Sequence, residues 1–142
     1  MSNLIKQLTE EEGVILHAYE DHLGYLTIGI GRLIDERRGG GLSIDEANYL
    51  LTNDIIEKTD EVENAIPFFN TLNDPRKAVL IGMAFQMGTA GLLKFTNTLK
   101  LIQLGKYKEA GRGMLRSLWA RQTPERAKRM AKQMETGEWV FK

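Results

Sequence analysis

Two carboxyl groups and a hydroxyl, those of Glu12, Asp21 and Thr27, fall within the one short stretch from Glu12 to Arg32. Cleavage of a glycosidic bond uses a carboxylic acid to protonate the leaving oxygen and a carboxylate acting on the opposite face of the sugar. Glu12 and Asp21 are candidates for that pair. Exposed Glu and Asp nine residues apart are common, so the spacing alone leaves a solvated acidic surface as the competing reading. Glu10, Glu11 and Glu12 crowd the last turn of a predicted helix, the end that carries partial negative charge, and the three acids repel one another. A solvated face is the expected fate of Glu10 and Glu11. Glu12 differs in abutting Gly13 and the strand region, where a carboxyl that keeps its proton suits a general acid.

The elements that must position these groups follow from periodicity and punctuation. Leu4, Ile5 and Leu8 recur at helical spacing and Gly13 supplies a stop, which predicts a helix over 3–12. Residues 17–34 read as two or three short strands turning around His22-Leu23-Gly24. Within them Leu26, Ile28 and Ile30 alternate with Thr27, Gly29 and Gly31, the period of a half-buried strand. The Thr27 face is nearly bare, and glycines weaken a strand but let a ligand approach its backbone, so this face is expected to floor a cleft. The polar 35–41 stretch, with three glycines, reads as a mobile loop.

Ser43-Ile44-Asp45-Glu46 is a capping box opening a helix that meets no breaker until Ile66-Pro67. At about twenty residues it spans roughly 30 Å, enough to be a strut joining a sheet-containing lobe to a helical one. Beyond Pro67 the pattern is wholly helical. Asn73-Asp74-Pro75 starts a helix whose apolar stripe, Ala78 to Phe85, is too broad for a surface. Thr96 to Leu104 stops at Gly105, Tyr107 to about Trp119 reads as one further helix, and Thr123-Pro124 opens the last. The six methionines read as core filler.

The 142 residues allow one domain or two small lobes, and with no cysteine neither a thiol nucleophile nor a disulfide is available. The N-terminus shows no export signal and the chain no membrane-spanning run. His17 and His22 lack partners at metal-ligand spacing, and neither metal nor organic cofactor is expected. The net charge of zero hides a division: residues 1–70 carry 5 basic against 14 acidic side chains, and residues 71–142 carry 14 against 5. A basic half favours an anionic polymer, whether nucleic acid, membrane face or bacterial wall, or else simply attracts the acidic half.

E-G at 12–13, Y-E-D at 19–21, G-Y-L-T-I-G-I-G at 24–31, F-Q-M-G at 85–88, F-T-N-T-L at 95–99, W at 119 and Q-T-P-E-R-A-K-R at 122–129 together resemble the T-even phage lysozymes, glycoside hydrolase family 24. The blocks occur in the family's order across nearly the whole chain. The resemblance implies a mainly helical α+β, lysozyme-like fold of residues 1–142. A small N-terminal sheet lobe (about 13–60) and a helical lobe (about 61–142, with helix 3–12) would be joined by the long helix, with a cleft between.

It further implies a muramidase acting on the β-1,4 bond between N-acetylmuramic acid and N-acetylglucosamine of peptidoglycan, for host lysis. Glu12 would be the general acid, Asp21 and Thr27 would hold the attacking water so that the anomeric centre inverts, and Arg126 would pair with the glutamate. Gly31, Phe85, Gln86, Asn97, Thr98 and Trp119 would contact substrate. Arg32 stands where the best-known member has histidine, and an ion pair with Asp54 is expected. A monomer in the infected cell's cytoplasm, reaching the periplasmic wall once a holin opens the membrane, completes the implied picture. The alternatives are an inactive wall-binding module of the same fold and, using Arg121, Arg126, Lys128, Arg129 and Lys132, a nucleic-acid binder whose affinity falls steeply with salt.

Overall fold

The computed structural model describes residues 2–142, and of Arg38 the backbone alone. The chain adopts the expected α+β architecture, mainly helical with one small antiparallel sheet. It divides into two compact units, Met1–Leu50 and Leu51–Lys142.

In the first unit, α1 (Ser2–Glu12) ends where Gly13 turns left-handed, φ 74°, and donates its N–H to Thr9 O at 2.9 Å. Three strands follow in the order β1 (Ile15–Glu20), β2 (Leu26–Gly29) and β3 (Arg32–Leu33), antiparallel throughout. Tyr19 faces Thr27 and Ile15 faces Gly29, with the register slipping between them. The alternation in β2 is present, but its burial is the reverse of the expected one. Thr27 is buried at 3 % exposure, whereas Leu26 and Ile30 are nearly half exposed. Thr27 lies in the middle of the sheet, between Tyr19 and Leu33, and its hydroxyl donates to Tyr25 O at 3.0 Å, so a polar side chain is tolerated there.

The 35–41 stretch is more organised than a plain loop. Asp35 caps a short 3-10 turn by accepting from Arg37 N, and Gly40 and Gly41 donate back to Asp35 O and Leu33 O. A Cβ at Gly40 would lie 2.7 Å from Leu33 O, which explains a glycine there. Arg32 also differs from expectation. Its guanidinium reaches Glu46 Oε1 at 2.6 Å and Gly41 O, taking Glu46 as partner in place of Asp54. The reason is that the capping box already fixes Glu46: Ser43 N donates to its carboxylate at 2.9 Å while Ser43 Oγ accepts from Glu46 N at 3.1 Å. Bonds from the Ser43 N–H and side chain, then Arg32, hold the Glu46 carboxyl below its usual value.

The division of the chain falls inside α2 (Ile44–Ala65). The second unit holds the hydrophobic core, built by the end of α2 with α3 (Asp74–Met87), α4 (Thr89–Leu93), α5 (Thr96–Gln103), α6 (Tyr107–Leu115), α7 (Leu118–Gln122) and α8 (Pro124–Thr136). Asn73 accepts from Arg76 N to start α3, whose Val79, Leu80, Met83 and Ala84 are buried. Met114 and Met134 join Met83 in the core. The single helix expected from Tyr107 to Trp119 is two. Ser117 Oγ accepts from Ala120 N and opens α7, redirecting the chain so that Trp119 packs inward. Thr123 stands at the start of α8, but its hydroxyl donates backward to Trp119 O instead of capping. Gly111 lets α6 approach α8, since a Cβ there would lie 3.0 Å from Ala131 O.

Within this unit Glu61 of α2 accepts from Thr89 Oγ1 at 2.7 Å and from Lys58 Nζ at 3.0 Å, anchoring the start of α4. The Thr89 hydroxyl first, then Lys58, lowers the Glu61 carboxyl below the ordinary 4.5. A carboxyl depressed on folding contributes stability above its unfolded value, and that contribution is lost as pH falls through the folded one. Glu61→Gln is therefore expected to destabilise the protein at pH 7 and to match the parent more closely below pH ~4.5, as read by denaturant titration at both pH values.

Candidate active site

Of the candidate residues, four lie in the first unit. Glu12 is the last residue of α1, and its exposed carboxylate rests over the turn between β2 and β3. The contact is with Gly31: a Cβ at that position would lie 2.6 Å from Glu12 Oε2 and 2.9 Å from Cδ. Gly31 also has φ 68°, a conformation that costs an L-residue about 1–2 kcal/mol. Two independent demands for glycine thus coincide beneath one carboxyl group. Gly31→Ala is expected to lower the unfolding free energy by about 1–2 kcal/mol. Its larger effect should be on activity, by about a hundredfold, because the added methyl displaces the carboxylate by the ångström-scale amount that catalysis does not tolerate. Calorimetry and a reducing-end assay on the same preparation separate the two effects.

Asp21 closes the β1–β2 hairpin. Its Oδ1 accepts from Leu23 N and Tyr25 N, both at 2.9 Å, and its backbone N–H donates to Tyr25 O at 2.8 Å. This is an Asx turn, for which aspartate two residues before its acceptor's donor is a favoured choice whatever the function. Thr27 is tied to the same residue through Tyr25 O. The backbone of Tyr25 therefore holds both Asp21 and Thr27, and the pair is placed as one piece. Along β2, Asp21 lies toward the Leu26 end and Glu12 toward the Gly29 end, with Thr27 on the strand.

The remaining candidates lie in the second unit and form three groups. Trp119, buried at 8 %, donates its indole N–H to Gln86 Oε1 at 2.9 Å and meets the Phe95 ring edge-on at 6.3 Å. The Gln86 carbonyl is thereby committed to the protein, and the residue is exposed, which leaves its amide N–H groups as its donors. Phe85 and Arg126 share an apolar pocket of about 390 Å³ with Ile81, Gly82 and Trp139. There Arg126 Nη2 donates to Gly82 O at 3.3 Å, so this arginine is turned partly inward and does not belong to the freely solvated basic face. Asn97 and the buried Thr98 line another cavity.

That cavity also contains Lys94, Arg112 and Arg116, which the sequence did not single out. The four-residue spacing of the two arginines, which places them on one face of a helix, was the available signal. Among the described residues no three His, Cys, Asp or Glu side chains gather at metal-ligand distance, and no helix is long and apolar enough to cross a membrane.

A mainly helical chain with a small antiparallel sheet and a helix-terminal glutamate seated on the sheet's glycine turn is a lysozyme-like arrangement. The sequence profile of the phage lysozyme family matches residues 9–134. The probable T4-type lysozyme 1 of Dictyostelium discoideum is 33 % identical over 96 % of this chain and 96 % of its own. Two phage proteins are 29 % identical. The pre-baseplate central spike protein Gp5 of Enterobacteria phage T4 matches over 95 % of this chain but 28 % of its own length, and the peptidoglycan hydrolase gp36 of Pseudomonas phage phiKMV over 93 % and 15 %. The chain belongs to the phage lysozyme family, and with it to the muramidase-type glycoside hydrolases.

Proposed function

We propose that the chain hydrolyses the β-1,4 bond between N-acetylmuramic acid and N-acetylglucosamine in peptidoglycan, with inversion at the anomeric carbon. Glu12 protonates the leaving oxygen, while Asp21 and Thr27 orient the attacking water. The observation that carries this reading is the Glu12 carboxylate lying on Gly31, because a glycine demanded both by φ and by a neighbouring carboxyl is costly unless that carboxyl must stand there. The common attachment of Asp21 and Thr27 to Tyr25 supports their acting together. Their position along β2 from Glu12 supports a gap wide enough for water, which inversion requires.

Gln86, with its carbonyl bonded to Trp119, offers amide donors suited to an acetamido or hydroxyl oxygen of the sugar. The role of Arg126 as partner of the general acid belongs to this proposal, as do a monomeric state, host lysis as the purpose, and delivery from the cytoplasm through a holin-opened membrane.

The test is loss of turbidity of permeabilised Gram-negative cells, measured together with new reducing ends from purified peptidoglycan. Both are expected. Pelleting with peptidoglycan without new reducing ends would instead identify a binding module that has lost the reaction.

A further inference from the structure

The turn from Asp21 to Gly24, with Gly24 at φ 84°, lies beyond the last strand pair of the hairpin, Glu20 opposite Leu26. What ties Asp21 to β2 is the backbone of Tyr25, which also accepts from the Thr27 hydroxyl. Whatever restrains Tyr25 therefore restrains the proposed water-orienting pair.

The Tyr25 ring is half-buried, and the Arg37 guanidinium lies over it with Cζ 5.9 Å from the ring centroid, within the range of a cation–π attraction. Arg37 is 78 % exposed, yet it is not a free surface arginine. Its Nε donates to Asp35 Oδ1 at 3.1 Å and its Nη2 to Asp35 Oδ2 at 2.6 Å, a two-bond fork on a carboxylate that is only 11 % exposed. The same carboxylate caps the 3-10 turn through Arg37 N at 2.9 Å. Capping asks only for a backbone N–H, which every residue but proline has, and an exposed ion pair stabilises a fold little. Neither accounts for a guanidinium fixed over an aromatic ring. The turn is itself anchored to the sheet, since Ile34 N donates to Leu26 O and Gly41 N to Leu33 O, both at 3.0 Å. Asp35, Arg37 and Tyr25 thus brace the end of the hairpin that carries Asp21 against the segment that follows β3.

We infer that Arg37, set in place by Asp35, is a positioning residue of the hydrolysis: it restrains Tyr25, and through the Tyr25 backbone it keeps Asp21 and Thr27 where they orient water. The inference rests on the peptidoglycan reading above and adds to it two residues that act through Tyr25 and not on the sugar.

The experiment resolves reducing-end release into kcat and KM for Arg37→Gln, Arg37→Lys and Asp35→Asn. Arg37→Gln is expected to lower kcat about two- to fivefold, the weight of one exposed cation–π contact, with KM unchanged. Arg37→Lys keeps the charge and should recover part of that loss. Asparagine caps turns as aspartate does, so Asp35→Asn keeps the turn, releases the guanidinium and should reproduce most of the Arg37→Gln effect. In an Asp21→Asn background, where the positioned group is already disabled, Arg37→Gln should cost nothing further. An unchanged kcat in Arg37→Gln, its full loss in the Asp21→Asn background, or a rise in KM alone overturns the inference, the last by making Arg37 a substrate contact. Amide NMR of Asp35→Asn should move the Leu23 and Tyr25 N–H signals, which report the bonds to Asp21 Oδ1, and unmoved signals overturn it as well. If the parent releases no reducing ends, the hydrolase reading fails, and these shifts decide the brace by themselves.

Discussion

Glu12→Gln is expected to abolish wall hydrolysis, with a rate at least about a hundredfold below the parent, since a positioned general acid contributes roughly 10²–10⁴-fold. Glutamine has the shape of glutamate, so it fits the space over Gly31 without disturbing the end of α1, but its amide N–H is far too weak an acid to protonate the leaving oxygen. Unfolding free energy should therefore change little while product formation disappears. The pairing of results matters because residues 71–142 carry 14 basic against 5 acidic side chains. A polycation can damage membranes with no enzymology at all. Equal clearing of cells by the Glu12→Gln protein would assign lysis to that charge and reject catalysis.

Arg76→Ala is expected to cost about 3 kcal/mol of stability, since hydrogen bonds from a charged donor contribute about 1.5–3 kcal/mol and are not additive. Arg76 Nε donates to Met134 O at 2.8 Å and Nη2 to Glu135 O at 3.0 Å, so its positive charge sits at the negative end of α8. The guanidinium also lies over the Tyr107 ring, 3.5 Å from its centroid. Gly137 makes room for it, because a Cβ there would come within 2.9 Å of Arg76 Cζ, and Asn73 Nδ2 closes the corner on Gly137 O at 3.0 Å.

One side chain thus fastens the first turn of α3 to the last of α8 and to α6. The loss should appear as a fall in Tm of about 10 °C, at about 3–4 °C per kcal/mol for a chain of this size. Lys77→Ala, one residue on, should shift Tm by much less, because Lys77 only approaches the Phe69 ring at 5.5 Å. A comparable loss in both variants would show that the Arg76 contacts are not the source of the stabilisation, since alanine itself favours the helix at both positions.

Local signals were legible and distant ones were not. Ser43 with Glu46, Asn73, Gly13 and Gly105 marked helix ends because each acts on backbone groups within a turn of itself. The break between α6 and α7 was missed since Ser117 reads as an ordinary helical residue until its hydroxyl is seen to accept from Ala120 N. The partner of Arg32 was misassigned because Glu46 lies across a folded loop whose 3-10 turn the glycines concealed. Thr27 was expected to face open space, and its burial depends on the strands on both sides.

In the candidate site the residue types could be named from the motifs, but the seat of Glu12 on Gly31 and the joint anchoring of Asp21 and Thr27 on Tyr25 are contacts between segments that no local pattern encodes. Arg112 and Arg116 had a readable spacing. That both line the cavity beside Thr98, with Gly113 between them, depends on how the helices pack and not on that spacing.

The stereochemistry of the cut tests the proposed division of labour most directly. Proton NMR of the reducing sugar in the first minutes of digestion, before mutarotation, should show the α-anomer, as expected when Asp21 and Thr27 deliver water to the face opposite Glu12. Initial appearance of the β-anomer would contradict that arrangement and assign a covalent glycosyl–enzyme intermediate instead.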